Sequence, residues 1–321
     1  MTTARIDGGT SDAGAASEGR SLQGEGGAWT SSGGRTRQRM ALMAVASAIS
    51  LLAACGSLAR ETRELEVTLP PADRIVLRTV NGGISVEVDP ERATGVLSAK
   101  LVAGGATGTS ARERVDAVTF RTEIEDGKLV IEPLFPDGHR NGDGASMTVV
   151  LPAVAWADLQ TSNGAIKASA VSGDAAARTS NGRIELSRIG GSASARTSNG
   201  SVELSDVAGD ADARTSNGRV VVRSVAGAIE VRTSNGPIQV EGAQRRVDLR
   251  TSNGSITLEL GPAFAGVLEL ATSNARIEVD SSVEARRTVL RDRSGTLEFG
   301  TEEPRSTATT SNGRITVRQR R

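Results

Sequence analysis

The sequence is poor in what most globular cores and most active sites are built from. Among 321 residues there is no Tyr, with four Phe and two Trp, so aromatics make up 2% of the chain. A thick core normally uses large aromatics because each buries so much area. Their scarcity points instead to a thin core of Ala, Val, Ile and Leu arranged in layers. There is one Cys and one His, too few for a zinc cluster, a disulfide framework or a Cys–His nucleophile pair. No Walker or dinucleotide-binding Gly pattern occurs. No catalytic residue, metal site or cofactor is expected on these grounds. Charge of one sign is also missing: 38 Lys and Arg balance 38 Asp and Glu. Specific nucleic-acid recognition and a polybasic membrane face therefore have no support from bulk charge. The apolar run Met40–Ala54 is shorter than the roughly 20 residues a spanning helix needs.

That run nevertheless reads as an address. Arg35, Arg37 and Arg39 precede it, and Leu52-Ala53-Ala54-Cys55-Gly56 closes it. A basic start, an apolar middle and small residues before a cleavage point form the layout of a signal peptide. Leu-Ala-Ala-Cys also resembles the bacterial lipobox, whose Cys is lipidated and becomes the mature N-terminus. Residues 35–55 are thus expected to be a lipoprotein signal peptide, with Cys55 as the lipidation site and membrane anchor; an ordinary signal peptide with an incidental Cys is the alternative. The expected location is the bacterial cell envelope, and Gly56 in place of an acid resembles lipoproteins sent to the outer membrane. Residues 1–34, rich in Gly, Ser and Thr without apolar period, read as disordered. Residues 56–65 read as a tether.

What the chain has in quantity is a repeat. Thr-Ser-Asn-Gly begins at Thr161, Thr179, Thr197, Thr215, Thr233 and Thr251, each 18 residues after the last. Looser copies are Thr272–Ala275, Asp292–Gly295 and Thr310–Gly313, and Thr79-Val80-Asn81-Gly82 comes first. A short fixed period marks an architecture in which one supersecondary unit stacks on the next. Counting from the Thr, positions 6, 8, 11, 15 and 17 are aliphatic (Ile184, Leu186, Ile189, Ala193 and Ala195 in one unit), with polar residues between. The alternation at 6–8 and 15–17 is the period-2 signature of half-buried strands, two per unit. Asn-Gly at positions 3–4 and Gly at position 13 are read as turns, with Gly supplying positive φ. Asn-Gly also suits an antiparallel hairpin, so a meander competes. The likeness of successive units favours parallel stacking in register. The expected fold is all-β: a single-domain parallel β-solenoid of about ten coils, regular over 158–321, with 92–151 as a non-repetitive β insertion or cap within 66–321.

Two columns of identical residues would follow. Extending the alternation places Thr at position 1 and Asn at position 3 inward, so Asn163, Asn181, Asn199, Asn217, Asn235 and Asn253 are expected to form a buried amide ladder. Position 18 points outward as Arg178, Arg196, Arg214, Arg232 and Arg250. This stripe reads either as a solvated face balanced by Asp212, Glu230 and Asp248 at position 16, or as a site for an acidic envelope polymer or surface glycan. The loop Asp137–Gly144 around His139 reads as a polar turn; it lacks the Glu that would complete a calcium loop.

The lipobox, the segment Ile75-Val76-Leu77-Arg78-Thr79-Val80-Asn81-Gly82-Gly83-Ile84-Ser85-Val86 and the repeated Thr-Ser-Asn-Gly-x-Ile-x-Leu together resemble a bacterial adhesin-like β-strand-repeat family. The resemblance covers about residues 64–321. It implies an extracytoplasmic, adhesin-like protein and carries no catalytic residues. The functional expectation is a non-enzymatic, lipid-anchored envelope protein, adhesin-like or scaffolding. The alternative is a carbohydrate-active solenoid enzyme using a carboxylate pair.

Overall fold

The structure is a computed structural model that describes residues 44–49, 59–300 and 303–320. Cys55, the residues 1–34 and most of the expected signal peptide lie outside the described residues. Of that segment only Ala44–Ile49 is described, as a strand antiparallel to Ala59–Leu69.

The repeats fold as their alternation dictates. Each unit supplies one strand to each of two 13-stranded sheets, and each strand pairs in parallel with the same residues one unit later. Ile166 faces Ile184, which faces Val202; Ala175 faces Ala193, which faces Ala211. This parallel register excludes the meander. Ile184, Leu186, Ile189, Ala193 and Ala195 are all buried, as are their counterparts in neighbouring coils. The core is a seam of aliphatic side chains between the two sheets, thin enough that buried aromatic rings join it only toward the far end, where Phe264 and Phe299 meet edge to face. The chain is a parallel β-solenoid with two strands per coil.

The glycines do a different job from the one expected. Gly182, Gly200, Gly218, Gly236 and Gly254 are not among the residues with positive φ. They are required by close approach: a Cβ on Gly200 would stand 1.7 Å from the carbonyl oxygen of Gly182 in the preceding coil, and the others meet similar backbone contacts. At position 13, a Cβ on Gly209 would lie 2.8 Å from Gly191. In the five coils from Thr161 to Thr233 the left-handed residue sits instead at position 10, occupied by Ala170, Arg188, Asp206, Ser224 and Gly242 with φ between 53° and 73°. Four of these five carry side chains, in a region that L-residues enter at a cost. The chain turns there before burying position 11.

Non-repetitive structure covers both ends. At the first end the Thr79 coil, with strands Arg74–Arg78 and Ile84–Val88, stacks on the Thr161 coil. Beyond it the segment 92–151 adds strands Gly95–Gly105, Thr119–Glu125, Lys128–Leu134 and Gly144–Leu151. The tether expected at 56–65 is contradicted over 59–65, because Ala59–Leu69 is an 11-residue strand paired along its length with Gly95–Gly105. Its buried Leu65, Val67 and Leu69 explain why it stays on the sheet. The helix Gly108–Asp116, capped reciprocally by Thr107 and Ser110, was also not anticipated. It buries Arg114 against the fully buried Asp143 at 2.5 Å. Asp143 further accepts from the backbone N–H of Arg140 and Gly104, which accounts for the polar loop around His139.

At the other end the coils do not stack in chain order. Arg305–Thr310 and Ile315–Gln319 pair on one side with the Thr251 coil and on the other with the Thr272 coil. The last repeat is thus inserted between two earlier ones. The copy at Asp292–Gly295 forms no coil; it lies at the turn of the hairpin made by Arg287–Leu290 and Ser294–Phe299.

Candidate binding faces

Three columns of outward side chains run along the second sheet, at positions 14, 16 and 18. The parallel register brings Arg178, Arg196, Arg214, Arg232 and Arg250 into one line. Position 16 of the same face carries Asp158, Ala176, Ser194, Asp212, Glu230 and Asp248. The two columns interlock. Arg178 pairs with Asp158 at 2.9 Å, Arg196 with Asp212 at 3.2 Å, and Arg214 bridges Asp212 and Glu230 at 3.0 and 2.8 Å. Arg232 bridges Glu230 and Asp248, and Arg250 closes the row on Asp248 at 3.0 Å. The stripe is therefore a zipper of alternating charge, five guanidiniums against four carboxylates.

These arginine side chains remain 40–56% exposed, so each pair contributes at most about 1 kcal/mol. Asp248 is the exception in environment, being buried. Burial alone would raise its carboxyl, but the Thr307 hydroxyl at 2.7 Å and the guanidiniums of Arg250 and Arg232 outweigh that and hold it below the ordinary carboxylate value. On the other sheet Arg223 bridges Glu203 and Glu241, and the bond to Glu203, opposed by desolvation, leads the effects that raise its pKa.

Beside the zipper runs a shallow groove of about 510 Å3, from Trp156 past Asp174, Ser192 and Asp210 to Arg246. Its carboxylates are committed. Asp174 accepts from the Ser192 N–H and Asp210 from the Ala228 N–H, both at 2.8 Å, while Asp212, Glu230 and Asp248 belong to the zipper. Trp156 is flanked by Lys128 and Arg74, at 4.5 and 5.6 Å from its ring, a cation–π cluster. Among the described residues no group of three or more acidic, His or Cys side chains is placed to hold a metal.

The amide ladder exists, but on the outside. Thr179, Thr197 and Thr215 point inward and donate to the Gly carbonyl of the preceding coil at 3.1 Å. The chain bends after the Thr, so the alternation stops and the Asn side chains emerge exposed. Asn163, Asn181, Asn199, Asn217, Asn235 and Asn253 each donate Nδ2 to the preceding Oδ1 at 2.6–2.8 Å. The row begins at Asn81 and continues through Asn312 to Asn274, nine asparagines in spatial order. It ends where Asn274 keeps its own Oδ1 free of a ladder donor.

Sequence reasoning found both columns. It missed Asp158, which precedes the first Thr-Ser-Asn-Gly, and the Trp156 cluster, whose partners Arg74 and Lys128 come from the first coil and the non-repetitive segment. Only the spacing of 20 residues between Asp158 and Arg178, matching the Glu203–Arg223 pair, hinted at the first.

The Toastrack DUF4097 family matches residues 34–318. No curated protein matches the chain. Similar solved structures include a proposed adhesin of Parabacteroides distasonis, 9% identical with a TM-score of 0.47, covering 81% of this chain and 97% of that one. A proposed adhesin of Bacteroides fragilis is 12% identical with a TM-score of 0.41, covering 81% and 98%. One of Parabacteroides merdae is 12% identical with a TM-score of 0.39, covering 81% and 96%.

Proposed function

The chain belongs to the Toastrack DUF4097 family, and on that footing we propose that it is a non-enzymatic, lipid-anchored protein of the bacterial cell envelope, acting as an adhesin-like or scaffolding β-solenoid. The observation that carries this reading is the repetition of outward chemistry. Charge zipper and amide ladder recur coil after coil at the strand spacing of about 4.8 Å, on a framework fixed by inter-coil hydrogen bonds. Such a surface suits a repetitive polymer, whereas catalysis needs unlike residues converging on one point. The lipobox supports anchorage through Cys55. Ala59–Leu69 lies at the first end of the stack, so an anchor there presents the Thr272 coil away from the membrane.

Two experiments test this. Cys55→Ser should move the protein from the membrane fraction to the soluble fraction of the envelope and abolish fatty-acid labelling; unchanged labelling refutes the anchor. The unlipidated domain, Ser57–Arg321, should bind at least one anionic polymer or glycan on an envelope array, more weakly as salt rises. Replacing Arg178, Arg196, Arg214, Arg232 and Arg250 with Gln locates that binding: loss assigns it to the zipper, persistence moves it elsewhere. Turnover on a polysaccharide panel, abolished by Asp212→Asn or Glu230→Gln, would replace this reading with a carboxylate-pair enzyme.

A further inference from the structure

At the far end of the stack three arginines that carry no carboxylate partner among the described residues line one cavity. This cavity of about 690 Å3 is lined by Arg276, Arg291 and Arg293, with Asn274, Ile277 and Leu290. The charges arrive from two directions. Arg276 follows the corner of the last-stacked coil, and Arg291 and Arg293 come from the turn of the terminal hairpin. Among the described residues none of these three guanidiniums enters an ion pair or side-chain hydrogen bond, in contrast to the five of the zipper. The one acid in the lining is Asp292. Leu290, 45% exposed, adds an apolar patch, and Asn274 offers the terminal Oδ1 of the ladder.

We propose that this cavity is a binding site for an anionic sugar, phosphorylated or carboxylated. Guanidinium forks match phosphate and carboxylate oxygens in pairs, and three unneutralised ones concentrate positive potential in a concave surface. An incoming anion meets guanidiniums that have no carboxylate bound to them here, whereas at the zipper it must compete with carboxylates already bound. The Asn274 Oδ1 accepts a sugar hydroxyl, and Leu290 and Ile277 meet the C–H face of a pyranose. The proposal deepens the adhesive reading by placing its contact at the tip, and rests on that reading only for which polymer carries the sugar.

The test uses small probes on Ser57–Arg321 at low salt, followed by NMR titration or calorimetry: glucose 6-phosphate, galacturonate, inorganic phosphate and glucose. Glucose 6-phosphate and galacturonate should bind. The triple variant Arg276→Gln/Arg291→Gln/Arg293→Gln should weaken both by at least about tenfold, while Arg214→Gln/Arg232→Gln leaves them unchanged. Asn274→Ala should bring glucose 6-phosphate down to the affinity of inorganic phosphate. No binding by the parent protein, or equal binding by the triple variant, overturns the site. Probe binding lost only in the zipper variant also overturns it and leaves the adhesive reading standing. Probe binding at this cavity, with no envelope polymer bound on the array, upholds the site and sinks the adhesive reading.

Discussion

Gly200→Ala isolates one of the tightest constraints in the fold, shared with Gly218, Gly236 and Gly313. The added Cβ would lie 1.7 Å from the Gly182 oxygen and 2.4 Å from its carbonyl carbon. Both belong to backbone, so no side chain can swing away. Reaching ordinary contact means opening the corner between the two coils by roughly 1.5 Å, well beyond the tolerance of hydrogen-bond geometry. Four donors cross that corner: Asn199 to Asn181 at 2.8 Å, the Thr197 hydroxyl to the Gly182 carbonyl at 3.1 Å and more weakly to the Ser180 carbonyl at 3.4 Å, and the N–H groups of Ser198 and Asn199 to the Ser180 carbonyl at 3.2 and 2.9 Å. At about 1 kcal/mol net each, their loss costs about 3–4 kcal/mol, a large effect for one methyl group. Gly242→Ala is the matched control. Gly242 has φ +73° but nothing within 4 Å of a Cβ, and Ala170 already occupies the same coil position at φ 60°. Its cost is the left-handed penalty of about 1–2 kcal/mol, partly offset by the smaller unfolded-state entropy of Ala. Urea unfolding of both variants, followed by far-UV circular dichroism, should place Gly200→Ala well below Gly242→Ala. Coils couple mainly to their neighbours, so amide exchange should quicken most around the Thr179 and Thr197 coils. Equal costs for the two variants, or a Gly200→Ala cost under about 1 kcal/mol, would refute the close-approach argument.

Three further outcomes follow from the same geometry. Asp143→Ala leaves Arg114 buried without its anion and should cost about 3–5 kcal/mol in urea unfolding; a near-neutral result would mean that the pair is not closed in solution. Ser224→Gly relieves a left-handed side chain at φ 53° and should stabilise by about 0.5 kcal/mol, the left-handed penalty less the entropy cost of Gly; destabilisation would contradict the assigned backbone. Asp248 has its folded pKa lowered, so its contribution is present above the unfolded value of about 3.9 and is lost as pH falls through the lower folded one. The urea midpoint should drop below about pH 4, and less steeply in Asp248→Asn; identical acid limbs would remove Asp248 from the account.

How much of this was legible depended on period. Where 18 residues recur, identical neighbours constrain one another, and the buried column through Ile184 and Ala193 and the aligned Arg178 to Arg250 could be placed from spacing alone. The same extrapolation failed at the corner, because alternation holds only within a strand; the chain bends between Thr179 and Asn181 and carries the Asn outward. Glycine was recognised as obligatory at Gly200 for the wrong reason, since a sequence shows the missing side chain but not the carbonyl that forbids one. The left-handed position was invisible because Arg188 and Asp206 do not advertise it. At the ends no repeat existed to compare, so the helix Gly108–Asp116 and the Arg276 cavity emerged only when distant segments met.

The insertion of Arg305–Gln319 between the Thr251 and Thr272 coils also sets an order of events. Coils from Thr161 to Thr251 can zip up one after another as the chain becomes available, each on a finished neighbour. The Thr272 coil cannot, because the surface it docks on is made by strands that come later in the sequence. Arg305–Gln319 is a keystone: until it is seated, one strand-wide slot stands open in each sheet, with aliphatic rows and unpaired backbone on both flanks. A chain interrupted before this segment would therefore carry that open slot at its tip, ready to accept a strand from another molecule, and closure would report that synthesis had passed Gln319.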